Sequence, residues 1–388
     1  MLGSWGDWKS DDEGRARGGH ATSPYHPNTP TSQHPLLSVR DLKTYFFQDD
    51  GLVKAVDGAS FDVYAGKTLG IVGESGCGKS VTARSIMRIV DRPGRIVGGQ
   101  VLLRRERNGA GPVEVDLTRL KADGREMRAI NGGEIALIFQ EPMTSFSPVH
   151  TIGDQIVEAI RLHSRMSKQE AYDRAIALLR MVGVPRPEGR VHEYAHQLSG
   201  GLRQRAMIAM ALAADPTILI ADEPTTALDV TTQAQILELL RDLQERNGMA
   251  IMLITHDLGV IAEMADDVVV MYLGRVVEEG PVDDIFHAPK HPYTRALLRS
   301  IPTVQSTPRR KLPTISGSIP HPYNRPSGCP FHTRCPEFMP GLCDVHEPAL
   351  ATVGTGQKAA CFLYPEVRAA SGALVSGELR EAAARSAV

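Results

Sequence analysis

The stretch GESGCGKS, residues 73–80, is the first of three ordered motifs that together indicate an ATP site in this chain of 388 residues. It follows the apolar run TLGIV and fits the pattern G-x-x-x-x-G-K-S, a loop whose backbone N–H groups face phosphate. We predict that Lys79 reaches the β- and γ-phosphate oxygens and that Ser80 binds Mg²⁺. The helix that follows points its positive end at the same anion. Predicted nucleotide contacts in this phosphate loop and just after it are Gly73, Glu74, Ser75, Gly76, Cys77, Gly78, Lys79, Ser80 and Val81.

A second stretch, ILIADEP at residues 218–224, is an apolar strand that ends in two adjacent carboxylates. Asp222 stands where a carboxylate can hold the magnesium shell, and Glu223 can accept a proton from attacking water. Two further apolar strands end at Gln140 and His256. The carboxyl ends of parallel strands form the edge at which α/β sheets bind ligands. Taken singly, each of these two side chains is more often an ordinary loop residue, but in this order they indicate catalytic positions.

Helical patterns alternate with the strands, so the sequence predicts an α/β fold with a mainly parallel sheet and helices on both faces. Ser167 and Glu170 form an S-x-x-E capping box that opens one helix. Gly248 stands where the C-terminal cap of a later helix is expected. Apolar residues at helical spacing are Ile152, Ile156 and Ile160 in one segment, and Ile236, Leu239, Leu240 and Leu243 in another.

Composition is that of an ordinary globular protein, with 42% hydrophobic and 23% charged residues. The formal net charge of −2 provides no general attraction for nucleic acid or for an anionic membrane. No apolar run approaches the ~18 to 20 residues needed to cross a bilayer. We therefore expect a cytoplasmic protein that docks on a membrane protein, with no nucleic-acid partner.

The stretch LSGGLRQR, residues 198–205, resembles the signature of ATP-binding-cassette (ABC) proteins. The resemblance covers about residues 36–301. It implies a P-loop nucleotide-binding domain with a mainly parallel core sheet, an antiparallel β subdomain, a helical insert and a small irregular C-terminal module that contains cysteines. It also implies a head-to-tail dimer, in which the signature of one subunit contacts the γ-phosphate bound by its partner. Those signature contacts are Ser199, Gly200 and Gly201.

The same resemblance assigns roles outside the phosphate loop. Gln140 couples Mg²⁺ and water to the membrane subunits, and it is predicted as a further magnesium ligand. Asp229 lies in a loop that crosses the dimer interface, and His256 is the switch histidine. The aromatic residue expected to stack on adenine is Phe46, with Tyr45 as the alternative.

Three other stretches resemble the ATP-binding subunits of oligopeptide, dipeptide and nickel importers. They are FQEPMTSFSPVHTIGDQI at 139–156, HPYTRALLRSIP at 291–302 and GCPFHTRCP at 328–336. This resemblance implies ATP-driven peptide import by a subunit on the cytoplasmic face of the membrane. The implied partners are a second ABC subunit in a heterodimer, two permeases and an extracytoplasmic peptide-binding protein. The alternatives are a soluble ribosome-associated or regulatory ATPase, or an importer of nickel or another solute.

Four of the five cysteines follow the spacing C-x5-C-x7-C-x17-C in a Pro-rich segment with little apolar material. Disulfides are disfavoured in a reducing cytoplasm, whereas four thiolates can hold either zinc or an iron–sulfur cluster. Zinc sites usually have closer cysteine pairs, and unligated cysteines remain a third reading. The importer resemblance favours a 4Fe-4S cluster. The predicted ligands are Cys329, Cys335, Cys343 and Cys361.

The fifth cysteine, Cys77, lies inside the phosphate loop. Its position near a helix N-terminus and Lys79 predicts a lowered pKa and a thiol exposed to alkylation.

Changes in composition predict four regions. They are a disordered arm at 1–35, the ABC ATPase domain at 36–301 with its helical part at about 141–200, the cysteine-containing module at 302–366, and a flexible tail at 367–388.

Overall fold

A computed structural model describes residues 34–107, 111–141, 145–226, 228–300, 315 and 317–372. The predicted disordered arm lies almost wholly outside the described residues. So do the first part of the predicted C-terminal module and most of the predicted tail.

The main sheet has eight strands within the described residues, and five of them are parallel. In the parallel part, β3 (Thr68–Val72), β7 (Ile218–Asp222) and β8 (Ala250–Ile254) are buried at every residue, which is why their sequences are continuous apolar runs. The other three strands are antiparallel and form one edge. From that edge the order is β11 (Ala351–Thr352), β12 (Lys358–Ala359), β10 (Arg275–Pro281), β9 (Asp267–Tyr272), β3 (Thr68–Val72), β8 (Ala250–Ile254), β7 (Ile218–Asp222) and β6 (Ile135–Ile138).

A second sheet is antiparallel and has four strands in the described part of the chain. Its buried residues belong to the same hydrophobic cluster as one face of the main sheet. The order is β2 (Gly51–Val63), β1 (Leu37–Gln48), β4 (Gly94–Arg107) and β5 (Gly111–Asp116). The structure therefore has the α/β fold with the antiparallel subdomain that the resemblance implied.

Helices cover the main sheet and build the insert between β6 and β7. The predicted capping box is confirmed, because Ser167 Oγ accepts from Glu170 N and Glu170 accepts from Ser167 N. Gly248 ends its helix at a φ of 64°, as predicted. The helices are α1 (Lys79–Ile86), α2 (Arg125–Ile130), α3 (Ile152–His163), α4 (Lys168–Met181), α5 (Pro187–Arg190), α6 (Gly200–Ala211), α7 (Val230–Asn247), α8 (Leu258–Met264), α9 (Val282–His287), α10 (Pro292–Arg299) and α11 (Pro365–Ala370).

The C-terminal cysteine module, residues 317–372, is continuous with the main sheet. Its strand β12 pairs with β10, with Ala359 opposite Glu278. The predicted boundary at residue 366 falls inside α11, where Val367 is fully buried. Among the helices that the structure describes, none is both long and apolar enough to span a bilayer.

Candidate functional site

The phosphate loop connects β3 to α1, and its glycines are required by close backbone contacts. Gly73 has φ of 151°, and a Cβ there would lie 2.2 Å from the carbonyl oxygen of Met271. Gly78 has φ of 102°, and a Cβ there would lie 2.2 Å from the carbonyl oxygen of Ala55. Other residues are excluded at both positions because of the left-handed backbone and the missing space. The two glycines therefore let the loop pack closely against neighbouring backbone, while Ser75 and Gly76 between them stay exposed to an incoming anion.

Lys79 and Ser80 end the phosphate loop and begin α1. Lys79 Nζ donates to the carbonyl oxygens of Gly73 at 2.8 Å and Glu74 at 3.3 Å. Ser80 Oγ donates to Asp222 Oδ1 at 2.9 Å. Burial raises the pKa of Asp222, and the neighbouring Glu223 adds to the rise while the Ser80 hydrogen bond opposes it. A hydroxyl and a buried carboxylate side by side are hard oxygen donors, which fit Mg²⁺.

Glu223 lies where three neighbouring strands end, and its carboxylate contacts the side chains from the other two. Gln140 Nε2 donates to Glu223 Oε2 at 2.9 Å, and Thr226 Oγ1 donates to the same oxygen at 3.0 Å. Nδ1 of His256 lies 3.3 Å from Glu223 Oε1. The carboxylate is mostly buried, whereas Gln140 and His256 are exposed. The structure thus brings the predicted catalytic residues Gln140 and His256 to the two oxygens of the Glu223 carboxylate, in a group that remains open to solvent.

The aromatic candidates for adenine stacking lie on β1. Tyr45 Oη donates to Asp57 Oδ1 at 2.6 Å, and Lys54 Nζ lies over the Tyr45 ring at 5.6 Å. Burial, together with this bond to Asp57, raises the pKa of Tyr45 to about 12. Phe46 is half-buried, with its ring against Gly94.

The signature residues and Asp229 occupy helix starts. Ser199 caps α6 through Leu202 N, and Asp229 caps α7 by accepting from Thr232 N at 2.9 Å. The two starts are neighbours, since a Cβ on Gly201 would lie 2.7 Å from Thr232 Cγ2. Ser199 and Gly200 are exposed, so a second subunit can reach them.

The prediction for Cys77 is wrong. Its side chain is buried, with 3% exposure, in the hydrophobic cluster beneath the loop. Burial raises the pKa of Cys77, and this effect exceeds the lowering by Lys79. The sequence places the thiol near a positive helix end, but the backbone of the tight loop turns it into the core instead.

The four cysteines of the C-terminal module are free thiols, and all but Cys335 are buried. They are close enough to influence one another: burial, followed by the other three thiols, raises the pKa of Cys361 to about 12. Burial likewise raises the pKa of Cys329 to about 12. Within the residues that the structure describes, no group of three or more His, Cys, Asp or Glu side chains is arranged to hold a metal ion. The structure therefore gives no support to the predicted 4Fe-4S cluster.

Two residues at the phosphate loop were missed by the sequence analysis. Tyr293 Oη accepts the backbone N–H of Glu74 at 2.8 Å, and Arg334 makes an ion pair with the Glu74 carboxylate. Both belong to stretches that resemble importer subunits, HPYTRALLRSIP and GCPFHTRCP. That resemblance marked the segments but indicated no contact with the loop.

Comparison with known proteins places this chain in a family. A model described as "ABC transporter" matches residues 56–226, and one described as "Oligopeptide/dipeptide transporter, C-terminal region" matches residues 277–343. The oligopeptide transport ATP-binding protein AppD of Bacillus subtilis is 50% identical over 332 residues, covering 85% of this chain and 97% of AppD. The dipeptide transport ATP-binding protein DppD of Escherichia coli is 48% identical over 330 residues, covering 85% of this chain and 97% of DppD.

A similar solved structure is the dimeric bacterial ABC transporter cassette MJ0796, with a TM-score of 0.55 and 27% identity. The match covers 63% of this chain and 98% of that one.

Proposed function

Because this chain belongs to the family of ATP-binding subunits of ABC transporters, we propose that it energises peptide import through a membrane transporter. It is an ABC-type ATPase. The observation that carries the proposed substrate class is the match of residues 277–343 to the C-terminal region of oligopeptide/dipeptide transporters. The names of AppD and DppD point in the same direction.

The proposed mechanism assigns one task to each group at the site. Lys79 binds the β- and γ-phosphates, and Glu223 accepts the proton of the attacking water. Gln140 and His256 orient the Glu223 carboxylate and the water. Gln140 Nε2 lies 2.9 Å from one carboxylate oxygen, and His256 Nδ1 lies 3.3 Å from the other. Ser80 and Asp222, with Gln140, would hold Mg²⁺, which neutralises charge on the phosphates when bound. Phe46 stacks on adenine, with Tyr45 as the alternative.

We propose that hydrolysis needs a head-to-tail dimer of cassettes, formed with a different ABC subunit. The exposed surface around the signature supports this. Ser199 and Gly200 are exposed, and at the start of α7 Val230, beside Asp229, is 84% exposed, so a second subunit can reach all three. The test is light scattering on a Glu223→Gln variant, alone and mixed with a candidate second subunit. We expect ATP-dependent dimers with that subunit. ATP binding without dimer formation in any mixture would refute the proposal.

The proposed location is the cytoplasmic face of the membrane, where the helical insert docks on two permeases. Apolar side chains that the insert leaves exposed support a docking role: they are Val149, Leu162 and Met166. A peptide-binding protein outside the membrane acts on this subunit only through the permeases.

The experiment that tests the import proposal is copurification of the tagged full chain with its membrane subunits, followed by ATPase assays in proteoliposomes. We expect a binding protein loaded with di- or oligopeptide to stimulate hydrolysis, and the Glu223→Gln subunit to remain inactive. Stimulation by a nickel-loaded binding protein but not by a peptide-loaded one would overturn the proposed substrate class. Failure to copurify with any permease would overturn transport itself.

We further propose a 4Fe-4S cluster on Cys329, Cys335, Cys343 and Cys361, with zinc as the alternative. The support is the chemistry of the donor set: four free thiols lie in one small module, and four thiolates can hold such a cluster. Iron and labile sulfide should be present after purification without oxygen, with broad visible absorbance. Stoichiometric zinc in a colourless protein would exclude the cluster.

A further inference from the structure

One side chain of the cysteine module reaches directly into the phosphate loop. Arg334, the last residue of a short 3-10 turn at His332–Arg334, stands immediately before Cys335. Its Nη1 donates to Glu74 Oε2 at 2.7 Å and its Nη2 donates to Glu74 Oε1 at 3.0 Å. The pairing uses both carboxylate oxygens, which fixes the orientation as well as the distance. The side chain of Arg334 is 4% exposed and that of Glu74 is 22% exposed, so water screens the pair only weakly.

The two partners are held in place by aromatic residues. The Arg334 guanidinium lies 5.8 Å from the Tyr272 ring centre, and its Nη1 also donates to Tyr272 Oη at 3.3 Å. Tyr272, Tyr293 and Phe331 pack against each other with ring centres 4.7 to 5.3 Å apart. Tyr293 also accepts the backbone N–H of Glu74. Both the side chain and the main chain of Glu74 are therefore fixed from outside the loop.

The position of Glu74 matters to the phosphate site because its carbonyl oxygen is used inside the loop. That oxygen accepts from Lys79 Nζ at 3.3 Å and from the backbone N–H of Cys77 at 3.2 Å. A displacement of Glu74 therefore changes both the turn and the placement of the lysine ammonium. The physical route from the module to the phosphate-binding lysine has only two steps, Arg334 to Glu74 and Glu74 to Lys79.

The module also contacts the adenine side. Arg325 Nη1 donates to Asp57 Oδ2 at 2.7 Å, and the other oxygen of Asp57 accepts from Tyr45 Oη. In this second ion pair Asp57 is buried and Arg325 is partly buried, with side-chain exposures of 7% and 16%. The module thus reaches the two ends of the proposed nucleotide site through separate ion pairs.

We propose that Arg334 is a positioning residue of the ATP site, and that through it the cysteine module holds the phosphate loop in its binding conformation. The inference rests on the proposed function, in that it takes residues 73–80 to bind ATP. Coupling of this kind is reciprocal: a change in the module that releases Arg334 weakens ATP binding, and bound ATP stabilises the module equally.

The test is equilibrium titration of the full chain with a fluorescent ATP analogue, using Arg334→Gln, Glu74→Gln and the double variant. We expect each single change to weaken binding by about tenfold, and the double variant to be no worse than either single one. Arg334→Lys keeps the charge but loses the paired geometry, so its affinity should fall in between. For Arg334→Gln, the loss should appear as a rise in KM for ATP that is much larger than any fall in kcat, because Arg334 acts on the loop only through Glu74.

The matched control is Glu337→Gln. It removes another ion pair between module and cassette, the one between Arg295 Nη1 and Glu337 Oε1 at 2.8 Å. The bonds that the structure describes for Arg295 go to Glu337, Tyr364 and the carbonyl oxygens of Pro289 and Lys290, and not to the phosphate loop. Its ATP affinity should be unchanged.

Two results would decide against the inference. Unchanged affinity in a folded Arg334→Gln protein, or additive losses in the double variant, would overturn it. If Arg334→Gln does not fold, Glu74→Gln decides alone, since it leaves every residue of the module in place. If the unchanged protein does not bind the analogue, the proposed function fails, which is a different result.

Discussion

The centre and the edge of the eight-stranded sheet contribute to the same site in different ways. At the centre, β3, β7 and β8 are fully buried five-residue strands, and the groups proposed to act on ATP follow directly at their carboxyl ends. At the edge, antiparallel β10, β12 and β11 attach a module that reaches the site through single side chains, such as Arg334. In the proposed mechanism the centre supplies the reacting groups, whereas the edge fixes their positions. Changes at the centre should therefore abolish turnover, and changes at the edge should alter stability and affinity.

The largest effect is expected at the centre, for Glu223→Gln. The amide keeps the shape of the carboxylate but cannot accept a proton, so kcat should fall by about 10² to 10⁴. ATP binding should be retained, which equilibrium titration and a steady-state phosphate assay can establish together. The exposed helix residue Glu245 offers a control, Glu245→Gln, for loss of one negative charge. Near-normal hydrolysis by Glu223→Gln would remove this residue from the proposed role.

At the edge, the largest effect on stability is expected for Phe331→Ala. The ring is fully buried between Tyr272 and Tyr293, with ring centres 5.3 Å away in both cases. Loss of a buried phenyl ring of this size costs about 3–5 kcal/mol. Urea unfolding should show that loss. Phe338→Ala, which removes a partly exposed ring of the same module, should cost less than about 1 kcal/mol. Equal losses in the two variants would mean that the module does not pack on the cassette through Phe331.

A smaller effect is expected for Glu278→Gln on β10. One carboxylate oxygen accepts from Lys290 N and Gln357 Nε2, and the other accepts from His291 N. An amide in this buried position must turn its NH₂ group toward one of these donors, which costs about 1–3 kcal/mol. Chemical denaturation measures the loss.

The neighbouring Glu279→Gln provides the control for that prediction. Glu279 pairs with Lys358 at 3.2 Å, and an amide oxygen can still accept from that lysine. Its loss of stability should be clearly smaller. Equal losses of stability in the two variants would mean that the three donors to Glu278 contribute no more than the single Lys358 pair of Glu279.

The sequence was informative where the chemistry depends on neighbours in the chain. Ser167 and Glu170 lie three residues apart, and the capping box they predicted is present. Asp222 and Glu223 stand at the end of an apolar strand, so the pattern alone predicted their place at the carboxyl ends of the parallel strands.

Contacts between distant residues could not be predicted. Arg334 and Glu74 are 260 positions apart, and no periodicity links them. Strands β4 and β5 were not located, and the pairing of β12 with β10 extends a sheet into a segment whose composition indicated only an irregular module. Even within a recognised motif, the direction of a side chain could not be predicted. The sequence predicted that the Cys77 thiol faces the bound anion, but the loop backbone directs this thiol into the core.

The smallest effect is expected for alkylation of Cys77, and it tests that last point at the centre of the sheet. A maleimide reacts with the thiolate, and burial both raises the pKa of Cys77 and blocks access to it. In the folded protein at pH 7, labelling of Cys77 should therefore be slow, and added ATP should scarcely change the labelling rate. The affinity of the protein for ATP should be nearly the same before and after maleimide treatment. Peptide mapping by mass spectrometry separates Cys77 from the module cysteines, and the same protein in urea gives the rate for an accessible thiol. Rapid labelling of the folded chain that ATP suppresses would instead place the thiol at the phosphates, and the phosphate loop would then have an open conformation in which Cys77 faces the nucleotide.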